Sequence, residues 1–147
     1  FIGDPSAGMS LISPAVYREH VLPFHKEIVE AVHGKGGPVS FHICGYIDPI
    51  FQDLIDLGID GLSIDGPSSL EKLFDMGRGK TTIIGNVDPM LFVEGTPDQL
   101  EEEVRKCFDI AQGEARYVIG PGCQIPLQAN LDNIRAFTQA CHKYGAF

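Results

Sequence analysis

Two hydrophobic rhythms alternate along this chain. Short apolar, partly β-branched runs bounded by turn residues read as buried strands at Pro38 to Ile43, Gly61 to Asp65, Thr81 to Gly85 and Arg116 to Gly120. Between them, apolar positions recur at helical spacing. Ser13-Pro14 starts a helix, with Ser as cap and Pro at the first helical position. Val16, Val21, Phe24, Ile28 and Val32 form its expected inner face, with a kink or break at Pro23 and a cap at Gly34. Asp48-Pro49 starts a second helix, with Ile50, Leu54 and Leu57 inward and Gly58 closing it. Ser68 and Glu71 suggest a capping box ahead of Leu70, Leu73 and Phe74. A second box, Thr96 to Gln99, precedes the face Leu100, Val104, Cys107, Phe108 and Ala111. Asn130 caps a last helix carrying Leu131, Ile134, Phe137 and Cys141.

The order is a helix, then strand–helix repeated, which implies an α/β fold with a parallel sheet. A doubly wound sheet and part of a (β/α)8 barrel both fit. Gly45-Tyr46-Ile47-Asp48-Pro49 is echoed by Gly85-Asn86-Val87-Asp88-Pro89, each copy following a strand. Similar corners about two strand–helix units apart point to the quasi-symmetric ring of a barrel. Phe1-Ile2-Gly3-Asp4 reads as the end of a strand entering a loop, so a fragment of a longer protein is expected.

At 147 residues, 44% hydrophobic, the chain can bury a sizeable core. The net charge of −9 argues against a general nucleic-acid or anionic-membrane surface. The apolar runs are too short to span a bilayer. Cysteines at 44, 107, 123 and 141 do not resemble a small secreted disulfide framework. A reduced, cytoplasmic chain that spends some cysteines on metal fits better.

The chemistry collects just past the strands, where parallel α/β folds carry their sites. Asp4 ends the first, incomplete strand; His42 and Cys44 end the next; Asp65 and Asn86 end the two after it; Cys123 follows the last. His42 and Cys44 are two apart on one strand and point the same way. With Cys123 they make three N/S donors with an open fourth position, the catalytic form of a zinc site. Asp65 either caps the following turn, fills the fourth position or orients a ligand. Asn86 either shares the site or holds the turn before Asp88-Pro89. Cys107 and Cys141 read as helix packing. His20, His25, His33 and His142 read as solvated or structural.

Phe41-His42-Ile43-Cys44-Gly45, Leu62-Ser63-Ile64-Asp65, Ile84-Gly85-Asn86-Val87-Asp88-Pro89 and Gly122-Cys123-Gln124-Ile125-Pro126 together resemble the uroporphyrinogen decarboxylase superfamily. Within it they resemble the zinc-dependent methylcobamide:coenzyme M methyltransferase branch. The resemblance covers essentially the whole chain but only the C-terminal portion of such proteins. It implies a single partial domain over residues 1–147, the C-terminal half of a (β/α)8 TIM barrel. It also implies zinc on His42, Cys44 and Cys123, a catalytic carboxylate at Asp65, and cofactor-binding groups at Asp4 and Asn86. The implied reaction moves a methyl group from a methylated corrinoid protein to a small thiol such as coenzyme M; the charge and the short apolar runs argue for no nucleic-acid and no membrane partner. Decarboxylases proper place a His in a Gly-His-Gly context where this chain has Gly122-Cys123-Gln124, and they lack the His-x-Cys pair. Tetrapyrrole decarboxylation through Asp4 or Asp65 is thus the alternative. A further one is an inactive barrel fragment that self-associates or needs its missing N-terminal half.

Overall fold

A computed structural model describes residues 1–145. The first strand, β1 (Ile2–Gly3), leads through a loop to α1 (Pro14–Val16), a π-helical turn at Tyr17–Val21 and α2 (Leu22–His33). Then follow β2 (Ser40–Ile43), α3 (Phe51–Asp56), β3 (Gly61–Ile64), α4 (Leu70–Gly77) and β4 (Thr82–Ile84). A short α5 (Leu91–Glu94), α6 (Pro97–Ala111), β5 (Tyr117–Val118) and α7 (Leu131–Tyr144) complete the chain.

The sheet order is β1-β2-β3-β4-β5 and every neighbouring pair is parallel. A parallel order with no reversal is that of a (β/α)8 barrel wall; a doubly wound sheet would reverse at a switch point. β5 is shorter than the expected run 116–120, but a parallel bridge from Val87 to Pro121 carries the pairing past its end.

The pleat sorts the strand residues onto two faces. Phe41, Ile43, Leu62, Ile64 and Ile83 are fully buried, each contributing about 1.5–3 kcal/mol by leaving water. The opposite face carries one in-register row: Gly3, His42, Ser63, Ile84 and Val118. This row is less covered, and Val118 is half exposed. The face that carries His42 is therefore the concave side of the wall.

The helix after Ser13 departs from the expected face. Ser13 caps it as expected, its hydroxyl accepting from Val16 N–H. Tyr17, His25 and Val29 are buried, whereas Val16, Phe24 and Ile28 lie outside at 40%, 62% and 39% exposure. The wide π-turn ahead of Pro23 sets the helix one position out of phase with a regular 3.6 period. The cap of α4 is also displaced by one residue. Ser69, not Ser68, accepts from Lys72 N–H. Ser68 is buried and its hydroxyl is committed elsewhere, accepting from Ile47 N–H and donating to the Gly45 carbonyl. The Thr96–Gln99 box forms as expected. In α7, Ile134, Phe137 and Cys141 pack on the core, but Leu131, the first helical residue, is exposed.

His25 is 4% exposed. Its Nδ1 lies 3.0 Å from the Tyr17 hydroxyl and its Nε2 3.1 Å from Asp4 Oδ2. Burial lowers its pKa below the ordinary 6.5, with Asp4 pulling the other way. The folded chain therefore takes up this proton less readily than the unfolded one. His25 should contribute stability that is full above about pH 6.5 and is lost as the pH falls. Denaturant midpoints measured from pH 8 down to 5 should decline less steeply in His25→Gln than in the wild type. Parallel declines would mean His25 has no part in the dependence.

Candidate metal centre

β2 ends by presenting His42 and Cys44 on the concave face. The His42 Nδ1 lies 3.2 Å from the Ser63 carbonyl and 3.2 Å from the Ser63 hydroxyl, on the neighbouring strand. A carbonyl only accepts, so the ring proton belongs on Nδ1 and Nε2 keeps its lone pair. That lone pair is on the nitrogen that lies 3.3 Å from Cys44 Sγ. Cys44 Sγ is in turn 3.7 Å from Cys123 Sγ. One donor atom from each of these three residues lies within 4.8 Å of the other two. No other group among the described residues brings three such donors together.

The spacing can be tested against a tetrahedral ion. Zinc bonds of about 2.3 Å to sulfur and about 2.0–2.1 Å to nitrogen put two sulfurs about 3.8 Å apart and a nitrogen and sulfur about 3.5 Å apart. The observed 3.7 Å between the sulfurs and 3.3 Å from His42 Nε2 to Cys44 Sγ match those two edges. The donors open into a cleft of about 360 Å³, walled further by Phe1, Ser63, Pro121 and Gln124. Three protein donors facing a cleft leave one position for an outside ligand. Somewhat larger grooves lie between α2 and α3 and between α4 and α6, but neither holds such a donor set.

Burial pushes the Cys44 thiol up to about 11, and Cys123 and Asp65 reinforce the shift. A thiolate at this position near neutral pH therefore calls for a cation beside it.

Asp65 stands beside this cluster but outside it. One carboxylate oxygen accepts from Gly45 N–H at 2.8 Å and the other from Gly66 N–H at 2.7 Å. It thus fixes the corner directly after Cys44. Asn86 sits behind, its amide donating to the carbonyls of Asp65 and Ser68. The loop bearing Cys123 presses on the same segment. A Cβ on Gly122 would stand 2.7 Å from Gly66 N and 3.1 Å from Asp65 Cα, so only glycine allows the approach. Asp4 lies on the far side of β2, engaged with the Ser6 hydroxyl at 2.6 Å and with His25. Burial raises its pKa, but the bonds from Ser6 and His25 outweigh that and hold it below the ordinary value.

Sequence reasoning assigned His42, Cys44 and Cys123 to one site, and the structure brings them together. It places Asp65 against the Cys44 corner, and Asn86 and Asp4 on the segments around it. It passed over Ser63, although Ser63 falls on the inward phase of the neighbouring strand. It also left His25 without a role.

Comparison with known proteins gives a consistent picture. The family described as uroporphyrinogen decarboxylase (URO-D) matches residues 1–144. A methylated-thiol–coenzyme M methyltransferase of Methanosarcina mazei is 34% identical over 96% of this chain and 36% of its own length. The methylcobamide:CoM methyltransferase MtbA of Methanosarcina acetivorans is 28% identical over 96% of this chain and 40% of its own. A solved methyltransferase structure from Methanosarcina mazei superposes with a TM-score of 0.85 at 28% identity, covering 99% of this chain and 42% of that one. The chain thus spans about two-fifths of the length of these proteins.

In Asp65→Asn, one of the two N–H groups now facing the carboxylate meets an amide donor instead. The substitution should cost about 1–3 kcal/mol, the penalty for an unpaired buried donor, seen as a lower denaturant midpoint. An unchanged midpoint would reduce Asp65 to a replaceable turn residue.

Proposed function

This chain belongs to the uroporphyrinogen decarboxylase (URO-D) family, and on that premise we propose that it is the metal-bearing portion of a zinc-dependent methyltransferase. In this reading the chain is the C-terminal half of a (β/α)8 barrel. The reaction is transfer of a methyl group from methylcobamide on a corrinoid protein to the sulfur of a small thiol such as coenzyme M. In that reaction the thiol sulfur would bond the methyl carbon, the carbon–cobalt bonding pair would stay with the cobalt, and the thiol proton would be released. The carrying observation is the convergence of donor atoms from His42, Cys44 and Cys123, all within 4.8 Å of one another, on an open cleft. Relatives named as methyltransferases of coenzyme M support the same reaction class. The Cys at position 123, where decarboxylases proper place a His, also favours this reading.

When bound, zinc supplies the positive charge that keeps a substrate thiol in its more nucleophilic, deprotonated form. The chain's residues supply everything around that charge. Ser63 holds the His42 ring with Nε2 toward the cleft. Cys44 and Cys123 surrender their protons on metal binding, which makes affinity rise with pH. Asp65 orients the Cys44 corner, and this is the role assigned to it in catalysis. In this reading Asn86 serves the cofactor face by holding the backbone carbonyls of Asp65 and Ser68, while Asp4 acts from behind β2 through Ser6 and His25. The donor thiols require reduced cysteines, which suits a cytoplasmic setting, and all four cysteines are free. Among the described residues no Lys or Arg lines the cleft; in this reading the cationic partner for an anionic acceptor tail lies outside that lining.

Metal analysis of the native protein should give one zinc per chain. Cys44→Ser and Cys123→Ser should lose zinc and methyl transfer together, while Cys107→Ser and Cys141→Ser keep both. A metal-free protein that decarboxylates a porphyrinogen would replace this reading with the lyase one. Asp65→Asn should weaken zinc binding or slow transfer by about 10–100-fold, the range for a residue that orients metal ligands. Unaltered affinity and rate would remove Asp65 from the site.

A further inference from the structure

We propose that His25 and Asp4 are positioning residues of this metal centre, holding the loop after β1 against the end of β2 that carries His42 and Cys44. The proposal rests on the zinc reading above. A buried chain of polar contacts runs from α2 to the ligand strand. The Tyr17 hydroxyl pairs with His25 Nδ1 at 3.0 Å, and His25 Nε2 pairs with Asp4 Oδ2 at 3.1 Å. Tyr17 and His25 are almost wholly buried, and Phe41 packs its ring 4.7 Å from the imidazole centroid. The Asp4 backbone N–H then donates to the carbonyl of His42 itself at 2.9 Å.

From Asp4 the loop runs directly over the second ligand. A Cβ on Gly8 would stand 2.5 Å from the Cys44 carbonyl, so the two backbones are in contact there. Met9 N–H donates to the Tyr46 carbonyl at 3.0 Å. The loop is therefore bonded to β2 at His42 and to the corner after it at Tyr46, and it packs on the Cys44 carbonyl between them. Its own anchor is Asp4, held from outside by His25 and Ser6. Asp65 grips the same corner from the β3 side. The Cys44 corner is thus held from two flanks, one of them running through His25.

The opposite end of β2 supplies a more exposed pair of the same type as a comparison. There His33 Nε2 pairs with Asp60 Oδ2 at 3.0 Å, and Asp60 Oδ2 accepts from Val39 N–H at 2.7 Å. That pair also joins α2 to β2, but at the end remote from the ligands.

Cobalt(II), read by its thiolate charge-transfer and ligand-field bands, serves as the probe, with zinc competition for affinity. In the native protein, His25→Phe and Asp4→Asn should each weaken metal binding by about 10–100-fold and alter the cobalt ligand-field bands. His25→Gln, whose amide N–H can still reach Asp4, should recover most of the loss. His33→Phe should leave affinity and spectrum as in the wild type. Should His25→Phe not fold, Asp4→Asn and the milder Ser6→Ala carry the test, with losses in the same direction. Wild-type affinity and spectrum in folded Asp4→Asn overturn the proposal, as does an equal effect of His33→Phe, which would mark a general stability effect. A wild-type protein that binds neither zinc nor cobalt overturns the metal reading itself, a different failure.

Discussion

The carboxylate of Asp65 holds two backbone N–H groups, one in its own turn and one in the loop that follows a different strand. Those two bonds make the end of β3 the template for the whole centre. Gly45, directly after Cys44, hangs from one oxygen. Gly122, directly before Cys123, rests on the backbone at Asp65 and Gly66. Ser63, two residues earlier on the same strand, turns the His42 ring. None of the three donor residues lies on β3, yet each is placed by it. Ser68 and Asn86 extend the template by tying Gly45, Ile47 and the Asp65 carbonyl into one hydrogen-bonded unit. Buried donors with no partner are costly, so this unit has little freedom to relax.

Strand alternation decides which chemistry faces the cleft. Gly3, His42, Ser63, Ile84 and Val118 form one row on the concave face. Residues one step on, such as Ile43 and Ile64, turn to the buried side. Asp4 follows Gly3, so it falls on that second phase and meets His25 on α2 instead of the cleft. Two carboxylates at strand ends thus support one strand from opposite sides. Asp65 acts through the corner after Cys44, and Asp4 through the loop laid across it.

All three donors lie within this stretch, which spans about two-fifths of the lengths of its relatives. Metal affinity is therefore a property that these residues can be asked about directly. Among the described residues the cleft lining holds no Lys or Arg, and one face of the sheet is only partly covered.

Much of this was legible in the sequence because it depends on local rules. Strand period, helix period and turn residues located each strand, and their alternation implied a parallel sheet in chain order. His42 and Cys44 could be paired because two residues on one strand end share a face. Cys123 followed from its place after the last strand. What local rules could not supply was phase and partnership across elements. Phe24 and Ile28 satisfy a helical period as well as His25 and Val29 do, and only the π-turn before Pro23 selected which face turned inward. Ser68 and Ser69 are both adequate caps by composition. Ser68 was withdrawn because a buried hydroxyl between Ile47 N–H and the Gly45 carbonyl already claimed it. His25 looked like one of several helical histidines, and its pairing with Tyr17 and Asp4 exists only when α2 lies on β1 and β2. Sequence by itself determined the element order and which three residues could meet at one strand-end site, since those follow from spacing along the chain. Tertiary structure decided what holds the donors in place, since that depends on backbone groups distant in sequence meeting with no water between them.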